Sequence, residues 1–471
     1  MIVVKKKHPR ITGNWINAKP GRVISTSFFL VIMTGTMLLM LPFASHDGQT
    51  AGFLRALFTA TSATCVTGLI VVDTATHWTL FGKLVIIALI QIGGLGLVTI
   101  TSIFYSFMRR KTSLRTMIVT QESTASFSFV DVFKLVRKIA IITFSCEFIG
   151  GLLISWRYIP HFGWLKGIGK GFFQSVSAFC NAGFDLLGDS ETGQYSSLVG
   201  WNGDPVVILT TGLLIVMGGL GFVVWSDIIG LRHKNAKLHF HSKVVLMMTG
   251  IFLVFGTIFF LIVEYNNTRS AWSLGSLPEW QRPLAAFFQS ITPRTAGFNS
   301  IDQNTLTDSS KFMTTILMFI GAAPGSTGGG IKVSTFAVIL ATIVSDARGY
   351  DDIVLIRHRL PRETFTRAFA IFGLALSLVI ITTLLLTFIE NEALVAGRFR
   401  FIDIVFEATS AFGTVGLSSA GTAGLQPASW AILAPVMYLG RVGPASFALS
   451  LAMAKMQHRD LVHPEGKILV G

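Results

Sequence analysis

Apolar runs of about twenty residues alternate with short polar connections along nearly the whole chain. The runs cover residues 23–41, 84–105, 206–225, 244–263, 312–344, 368–389 and 430–452, and each is long enough to cross roughly 30 Å of hydrocarbon as a helix. An eighth run, 135–154, is weaker, because Arg137 and Lys138 open it and Glu147 lies inside. The pattern predicts an all-α polytopic membrane protein with eight crossings. Only 13% of the residues are charged, about half the share of a soluble domain.

A second pattern lies between the runs. "FTATSATCVTGL" (Phe58–Leu69) aligns with "FQSVSAFCNAGF" (Phe173–Phe184), "FFQSITPRTAGF" (Phe287–Phe298) and "FEATSAFGTVGL" (Phe406–Leu417). In each, a Phe stands ten residues before a Gly that is followed by Leu or Phe, and the four glycines are Gly68, Gly183, Gly297 and Gly416. Their separations of 115, 114 and 119 residues define four units that fill the chain. Each unit reads as apolar helix, polar connection, Phe-led half-helix ending at the glycine, outer loop, second apolar helix. A glycine cluster in the second helix begins 25, 35, 24 and 24 residues after the loop glycine, in "QIGGLG", "VMGGLG", "FIGAAPGSTGGG" and "YLGRVGP". The repeats are placed at 1–107, 108–230, 231–345 and 346–454, with a tail at 455–471.

Backbone that leaves helical pairing at membrane depth is tolerated only inside protein or beside water. Four such segments around a pseudo-fourfold axis enclose a central pore. Glycine at each turn permits positive φ, and carbonyls aimed at the axis replace an ion's hydration shell. The half-helices point the negative ends of their dipoles at the same place. The expected fold is four helix–pore-loop–helix repeats around that pore, suited to a monovalent cation.

Charge sets orientation. With the amino terminus inside, the cytoplasmic segments hold 25 Lys and Arg against 11 on the other face, so both termini are placed in the cytoplasm. The net charge of +14 arises from these clusters and does not call for nucleic acid. The basic start and first run are too long for a signal core and are read as retained. Cys65, Cys146 and Cys180 lie in or beside apolar stretches with no metal or disulfide spacing.

Through its four loops ("TCVTG", "FCNAG", "RTAG", "GTVG") and the "GAAPGSTGGGIK" interruption, the chain resembles the Trk/Ktr/HKT superfamily of potassium transporters, most of all the bacterial KtrB-type membrane subunit. The resemblance covers essentially the whole chain. It implies a filter drawing, mainly through backbone carbonyls, on Cys65, Val66, Thr67 and Gly68; on Cys180, Asn181, Ala182 and Gly183; on Arg294, Thr295, Ala296 and Gly297; and on Gly413, Thr414, Val415 and Gly416. It implies potassium as the transported ion, with sodium as a coupled or activating ion. It also implies a bacterial cytoplasmic membrane location, a homodimer and a cytoplasmic ring of nucleotide-binding RCK-type regulators. The chain itself carries no ATP-hydrolysing motif.

Five Gly and Pro324 between Gly321 and Gly330 argue against a continuous helix, since each Gly costs about 1 kcal/mol and Pro about 3 relative to Ala. A kinked helix packed through small residues is one reading. The family's reading is a gate below the filter, built from Gly321, Ala322, Ala323, Pro324, Gly325, Ser326, Thr327, Gly328, Gly329 and Gly330. Gly325 and Gly330 mimic phosphate-loop spacing, but Ile331 stands where the lysine belongs. Lys332 and Arg441 fall inside apolar runs, where a central charge costs at least about 2.5 kcal/mol. They either snorkel to the surface or, as the family has it for the arginine, form a positive barrier in the path. Asn181 either joins the filter rim or braces it, Arg294 is expected to brace its loop against an acidic group such as Asp302, and Glu147 is assigned to helix packing or an ion pair. The competing class is an alternating-access secondary transporter, which normally shows inverted repeats with breaks in both halves; here the repeats are fourfold and parallel, and only the third carries the long break. A membrane-embedded enzyme ranks behind both.

Overall fold

The computed structural model describes residues 20–96, 132–190, 192–231, 237–350 and 352–443. Residues 97–105 of the second apolar run, the end of the last run and the tail 455–471 lie outside them. Among the described residues, fourteen helices of nine or more residues keep the expected order. The first repeat has α1 (Pro20–Leu39), half-helix α2 (Phe53–Cys65) and α3 (Leu80–Leu95). The second has α4 (Val132–Phe162), half-helix α5 (Trp164–Phe179), α6 (Pro205–Gly219) and α7 (Phe222–Gly230). The third has α8 (Phe240–Glu264), half-helix α9 (Arg282–Ile291), α10 (Asp308–Phe319) and α11 (Val333–Ala347). The fourth has α12 (Arg362–Ile389), half-helix α13 (Phe401–Gly413) and α14 (Pro427–Val442). A hairpin of β1 (Ile353–Leu355) and β2 (His358–Leu360) joins α11 to α12.

The longest apolar helices are the first helices of repeats two to four. Val136–Phe162, Phe240–Glu264 and Arg362–Ile389 have mean hydropathies of 1.8, 2.6 and 2.6 and are long enough to span a bilayer. The run at 135–154, weakest by its charges, is thus one of the three plain spans. Its single acid needs no charge partner, because the Gln91 side-chain amide donates to Glu147 at 3.0 Å.

The second helices correct the sequence reading. The run 206–225 is not one helix: α6 and α7 meet at an angle of 97°. The break falls at Gly221, whose φ is +88°. Helix α3 likewise stops before Gly96 (φ +79°) and α14 before Gly443 (φ +91°). Each of these glycines lies three residues after the first glycine of its cluster. The second helix of repeat two is therefore bent, those of repeats one and four stop at the matching glycine where the described residues end, and the third repeat carries the longer interruption.

Polar contacts close the other end of each quarter. Asp204 caps α6 through the Val206 and Val207 N–H groups and accepts from Arg157 of α4 at 2.6 Å. Glu264, at the end of α8, accepts from the Thr307 N–H and hydroxyl at 3.0 and 2.6 Å, where α10 begins. Glu390 does the same for α14, accepting from the Gln426 N–H at 2.8 Å and the Ser429 hydroxyl at 2.6 Å. In the first repeat Thr79 caps α3 and donates to the Phe43 carbonyl at 2.8 Å. An anionic acceptor at a helix amino terminus is favourable, as at Asp204, Glu264 and Glu390; the first repeat uses a neutral threonine with an exposed contact instead.

The half-helices are too short to cross a membrane, and protein encloses them. From Phe58 to Cys65 every residue of α2 is buried, as is every residue of α13 from Phe406 to Gly413. That enclosure, away from lipid, is why Thr and Ser are tolerated in these segments.

Candidate ion pathway

The four loop glycines converge. A methyl group added at Gly68 would lie 2.5 Å from the Ala182 carbonyl oxygen, and one at Gly183 would lie 2.8 Å from that of Ala296. At Gly297 the obstacle is the Val415 carbonyl at 2.3 Å, and at Gly416 it is the Thr67 carbonyl at 2.2 Å. Each glycine thus abuts the carbonyl preceding the next glycine, and the series returns to its start. This is a closed ring of backbone with one member from each repeat.

Backbone conformation repeats around the ring. The glycines have φ of +93°, +70°, +78° and +95°. Two residues before them, Val66, Asn181, Thr295 and Thr414 also have positive φ, at 58°, 60°, 70° and 49°. Such values cost non-glycine residues energy and mark functional strain. Composition gave no sign of this, because none of these four is Gly. The half-helix ends hold the strain: Thr67 N–H donates to the Ser62 carbonyl at 2.8 Å, Ala182 to Ser177 at 2.7 Å and Val415 to Ser410 at 2.9 Å. The Ser62 and Ser410 hydroxyls also accept from Gly68 and Gly416 N–H groups at 3.1 Å. In the third repeat Ile291 replaces that serine, and Ala296 N–H bonds instead to the Thr292 carbonyl at 3.0 Å.

The second-helix glycines serve this ring. A methyl at Gly93 would lie 1.9 Å from the Thr64 carbonyl, at Gly218 1.9 Å from that of Phe179, and at Gly440 2.0 Å from that of Phe412. Each partner is four residues before its loop glycine. The clusters seen in the sequence let the carboxyl ends of the half-helices approach the second helices at backbone distance.

On one side, all four glycines floor a vestibule of about 510 Å³ that Asp73, Asp185 and Asp302 also line. Asp73 is committed to structure, accepting from the Ala75, Thr76 and Tyr195 N–H groups. Asp185 accepts from the Leu187 N–H at 3.0 Å. Burial pushes its carboxyl up to about 6, with Asp73 pushing the same way against the Leu187 N–H, Ser197 and Lys170. Sequence reasoning gave none of these acids a place in the vestibule, naming only Asp302 and as a partner for Arg294; they stand a few residues beyond the ring but carry no motif.

On the other side lies the interruption between α10 and α11. Its base is pinched by a bridge of Ile320 to Ile331 and by the Gly321 N–H on the Ile331 carbonyl at 2.8 Å. The segment is pinned to the second repeat: Ala323 N–H donates to Gly219, Thr327 N–H to Gly218, and Phe222 N–H to Gly325. The Thr327 hydroxyl donates to the Phe179 carbonyl at 3.2 Å. Methyls at Gly328 and Gly329 would lie 2.2 Å from the Thr295 and Thr414 hydroxyl oxygens. Arg441 of the fourth repeat donates to the Thr327 carbonyl and to the Gly93 and Gly94 carbonyls of the first. Thr327–Gly329 therefore meets all four repeats, directly or through Arg441. Lys332 is half-buried, and its ammonium donates to the Gly328 carbonyl at 2.6 Å. Both cations are spent on carbonyls of this segment and its neighbours.

Other expected roles change. Arg294 does not pair with Asp302; it is buried, donates to the Thr249 hydroxyl at 3.3 Å and stacks 5.8 Å from the Phe252 ring centre. The reason is geometric: its side chain leaves the ring toward α8, while the Asp302 carboxylate accepts from the Asn304 N–H. Asn181 braces: its amide oxygen accepts from the Thr295 hydroxyl at 3.1 Å while its amide nitrogen reaches the Ile215 and Ala178 carbonyls. Cys65 and Cys180 are buried and pack, Cys180 against Gly94 and near Glu147. Gly413 packs on the Met318 carbonyl, where a methyl would come within 2.5 Å.

Comparison with known proteins supplies the family. The TrkH model, described as a cation transport protein, matches residues 12–460. Ktr system potassium uptake protein B of Bacillus subtilis (strain 168) is 37% identical over 97% of this chain and 98% of its own length. The protein of the same name from Vibrio alginolyticus is 38% identical over 98% and 97%, and potassium/sodium uptake protein NtpJ of Enterococcus hirae 37% over 96% and 97%. The crystal structure of the potassium transporter TrkH from Vibrio parahaemolyticus superposes with a TM-score of 0.70 over 94% of this chain and 86% of that one; at 14% identity the likeness is one of fold. With a family match over nearly its full length and apolar helices in every repeat, the chain is a multi-pass membrane protein of the TrkH cation transport family and not an enzyme.

Proposed function

We propose that this chain is the membrane subunit of a potassium uptake system, passing K+ inward through a filter made by the four loops. The observation that carries the reading is the closed ring of Gly68, Gly183, Gly297 and Gly416, each against the carbonyl before the next. Backbone carbonyls gathered in such a ring exchange for the hydration shell of a weakly hydrated monovalent cation. The four half-helices end there with their negative poles, and the vestibule acids raise the local cation concentration. A membrane potential supplies about 2.3 kcal/mol per charge per 100 mV, so inward flux needs no ATP site in this chain.

In this reading the sixteen loop residues named from the sequence form the filter and its frame, with Arg294 and Asn181 as braces. The segment Gly321–Gly330, held by Lys332 and Arg441, closes the path below it. The four repeats keep the boundaries given above, both termini face the cytoplasm, and the membrane is the bacterial cytoplasmic one. Sodium enters as a second ion that couples to or activates uptake, in keeping with the potassium/sodium name of NtpJ. Two of the relatives are named as parts of a Ktr system. We assign the regulatory role to a cytoplasmic nucleotide-binding RCK-type ring, acting on a homodimer of this chain.

Rubidium or potassium flux into liposomes holding the purified protein tests the function. Cation uptake driven by a negative internal potential is expected. Proton-coupled movement of an organic solute without cation current would overturn it in favour of an alternating-access transporter.

A further inference from the structure

Arg294 is unlike its counterparts in the other loops. Three places before the remaining ring glycines stand Cys65, Cys180 and Gly413, all uncharged and buried. Only the third loop puts a full positive charge there, and Arg294 is 8% exposed. It also differs from the other two cations of the pathway. Arg441 and Lys332 donate to backbone carbonyls, whereas Arg294 reaches the Thr249 hydroxyl at 3.3 Å and the face of Phe252. Its Nε–H is buried without a hydrogen-bond partner. Among the described residues no carboxylate lies within ion-pair distance of it. Thr249 accepts from the guanidinium, which leaves its own hydroxyl proton to be donated, and among the described residues that proton has no acceptor. A buried ion without a counter-ion carries a heavy desolvation cost, and the Phe252 ring offsets only part of it. Arg294 and Thr249 line one cavity of about 10 Å³ whose other wall residues are aliphatic or glycine. That is room for a single guest the size of a water molecule.

We infer that this cavity binds one monatomic anion of chloride's size, held by the Arg294 Nε–H and the Thr249 hydroxyl. Two donors beside a full positive charge, on an otherwise apolar wall, are the chemistry of a halide site. A water molecule would satisfy the donors but leave the charge unbalanced; the anion does both. The consequence reaches the ion pathway, because Arg294 stands three residues before Gly297. An unbalanced guanidinium opposes a cation in the ring, and a halide beside it removes most of that repulsion. The anion is thus a structural ion behind the third loop that lowers the half-saturation for potassium. This effect on transport rests on the potassium-uptake reading, whereas the anion site itself does not.

Thermal unfolding in detergent at constant potassium tests the site, with gluconate, too large for the cavity, exchanged stepwise for chloride or bromide. The wild-type Tm should rise with halide and then saturate. Thr249→Val should move the halide concentration for half the rise upward by about threefold to tenfold, the weight of one neutral donor. Arg294→Gln should show no saturable rise; should it fail to fold, Thr249→Val decides alone. A wild-type Tm that is the same in gluconate and halide, or a rise that Thr249→Val leaves unaltered, would overturn the anion site and assign the cavity to water. Rubidium flux into liposomes then reads the consequence, with a wild-type half-saturation about threefold lower in chloride than in gluconate. A halide-dependent Tm with an unchanged half-saturation would overturn the link to transport. A halide-dependent Tm without cation flux in either salt would sink the potassium reading and leave the anion site standing.

Discussion

Gly416 and Thr67, nearly 350 residues apart, touch: a methyl on Gly416 would lie 2.2 Å from the Thr67 carbonyl oxygen. The contact joins the last repeat to the first and closes the ring. It also ranks the four glycines. The added methyl meets a carbonyl at 2.2 Å at Gly416, 2.3 Å at Gly297, 2.5 Å at Gly68 and 2.8 Å at Gly183. Gly416→Ala and Gly297→Ala should therefore lose rubidium flux by more than about tenfold, and Gly183→Ala should lose least, because steric cost rises steeply at these distances and positive φ adds to it. Equal losses at all four positions would contradict the ranking.

The second-helix glycines should behave against ordinary propensity. Gly to Ala in a helix interior normally stabilises by about 1 kcal/mol. Gly250 and Gly373, in α8 and α12 with nothing within 4 Å, should obey that rule. Gly93, Gly218 and Gly440 should reverse it, since a methyl there falls within 1.9 to 2.0 Å of a backbone carbonyl. Thermal unfolding in detergent distinguishes the two sets, and a raised Tm for Gly218→Ala would refute the close-approach account.

Arg441→Gln should raise uptake. The substitution removes the donors on the Thr327, Gly93 and Gly94 carbonyls and the positive charge beside the path. Rubidium influx should rise several-fold with little loss of folded protein, and a cysteine at Ser326 should become more reactive to a water-soluble maleimide. Reduced influx with unchanged labelling would show that the arginine neither holds the segment nor slows the ion. Replacing Gly325–Gly330 with a short helix-forming linker should raise flux in the same direction.

External pH should act through Asp185. With a carboxyl pushed up to about 6, the group is charged at pH 7 and neutral at pH 5. Lowering the outer pH through 6 removes one negative charge from the vestibule. The half-saturation for potassium should then rise by about threefold, the effect of one charge at several ångströms in a wet cavity. Asp185→Asn should show the acid value at every pH. A wild-type profile flat between pH 5 and 7.5 would remove Asp185 from ion attraction.

Much of this molecule was legible because two of its signals are periodic. The apolar runs fix which segments lie in hydrocarbon, since twenty uncharged residues have no other stable home. The fourfold return of a Phe-led half-helix ending in glycine fixes the repeat and points to the ring. The clusters from Gly93, Gly218 and Gly440 were visible too, but their role was not. Each answers a carbonyl some 25 to 40 residues earlier, a distance that only close packing reveals. The bend at Gly221 was missed because a glycine inside an apolar run looks like any other.

Sequence by itself determined the class, the four quarters and the four glycines, because burial in lipid and positive φ restrict residue type at each position. Tertiary structure alone decided how those quarters meet. It gave Val66, Asn181, Thr295 and Thr414 their left-handed backbone, turned Arg294 outward to Thr249, and spent Arg441 on carbonyls of two other repeats. The physical reason is that the side chains answer to neighbours distant in the chain, 45 positions away for Arg294 and more than a hundred for Asn181 and Arg441. Nothing local in the chain records which carbonyl a buried guanidinium will reach.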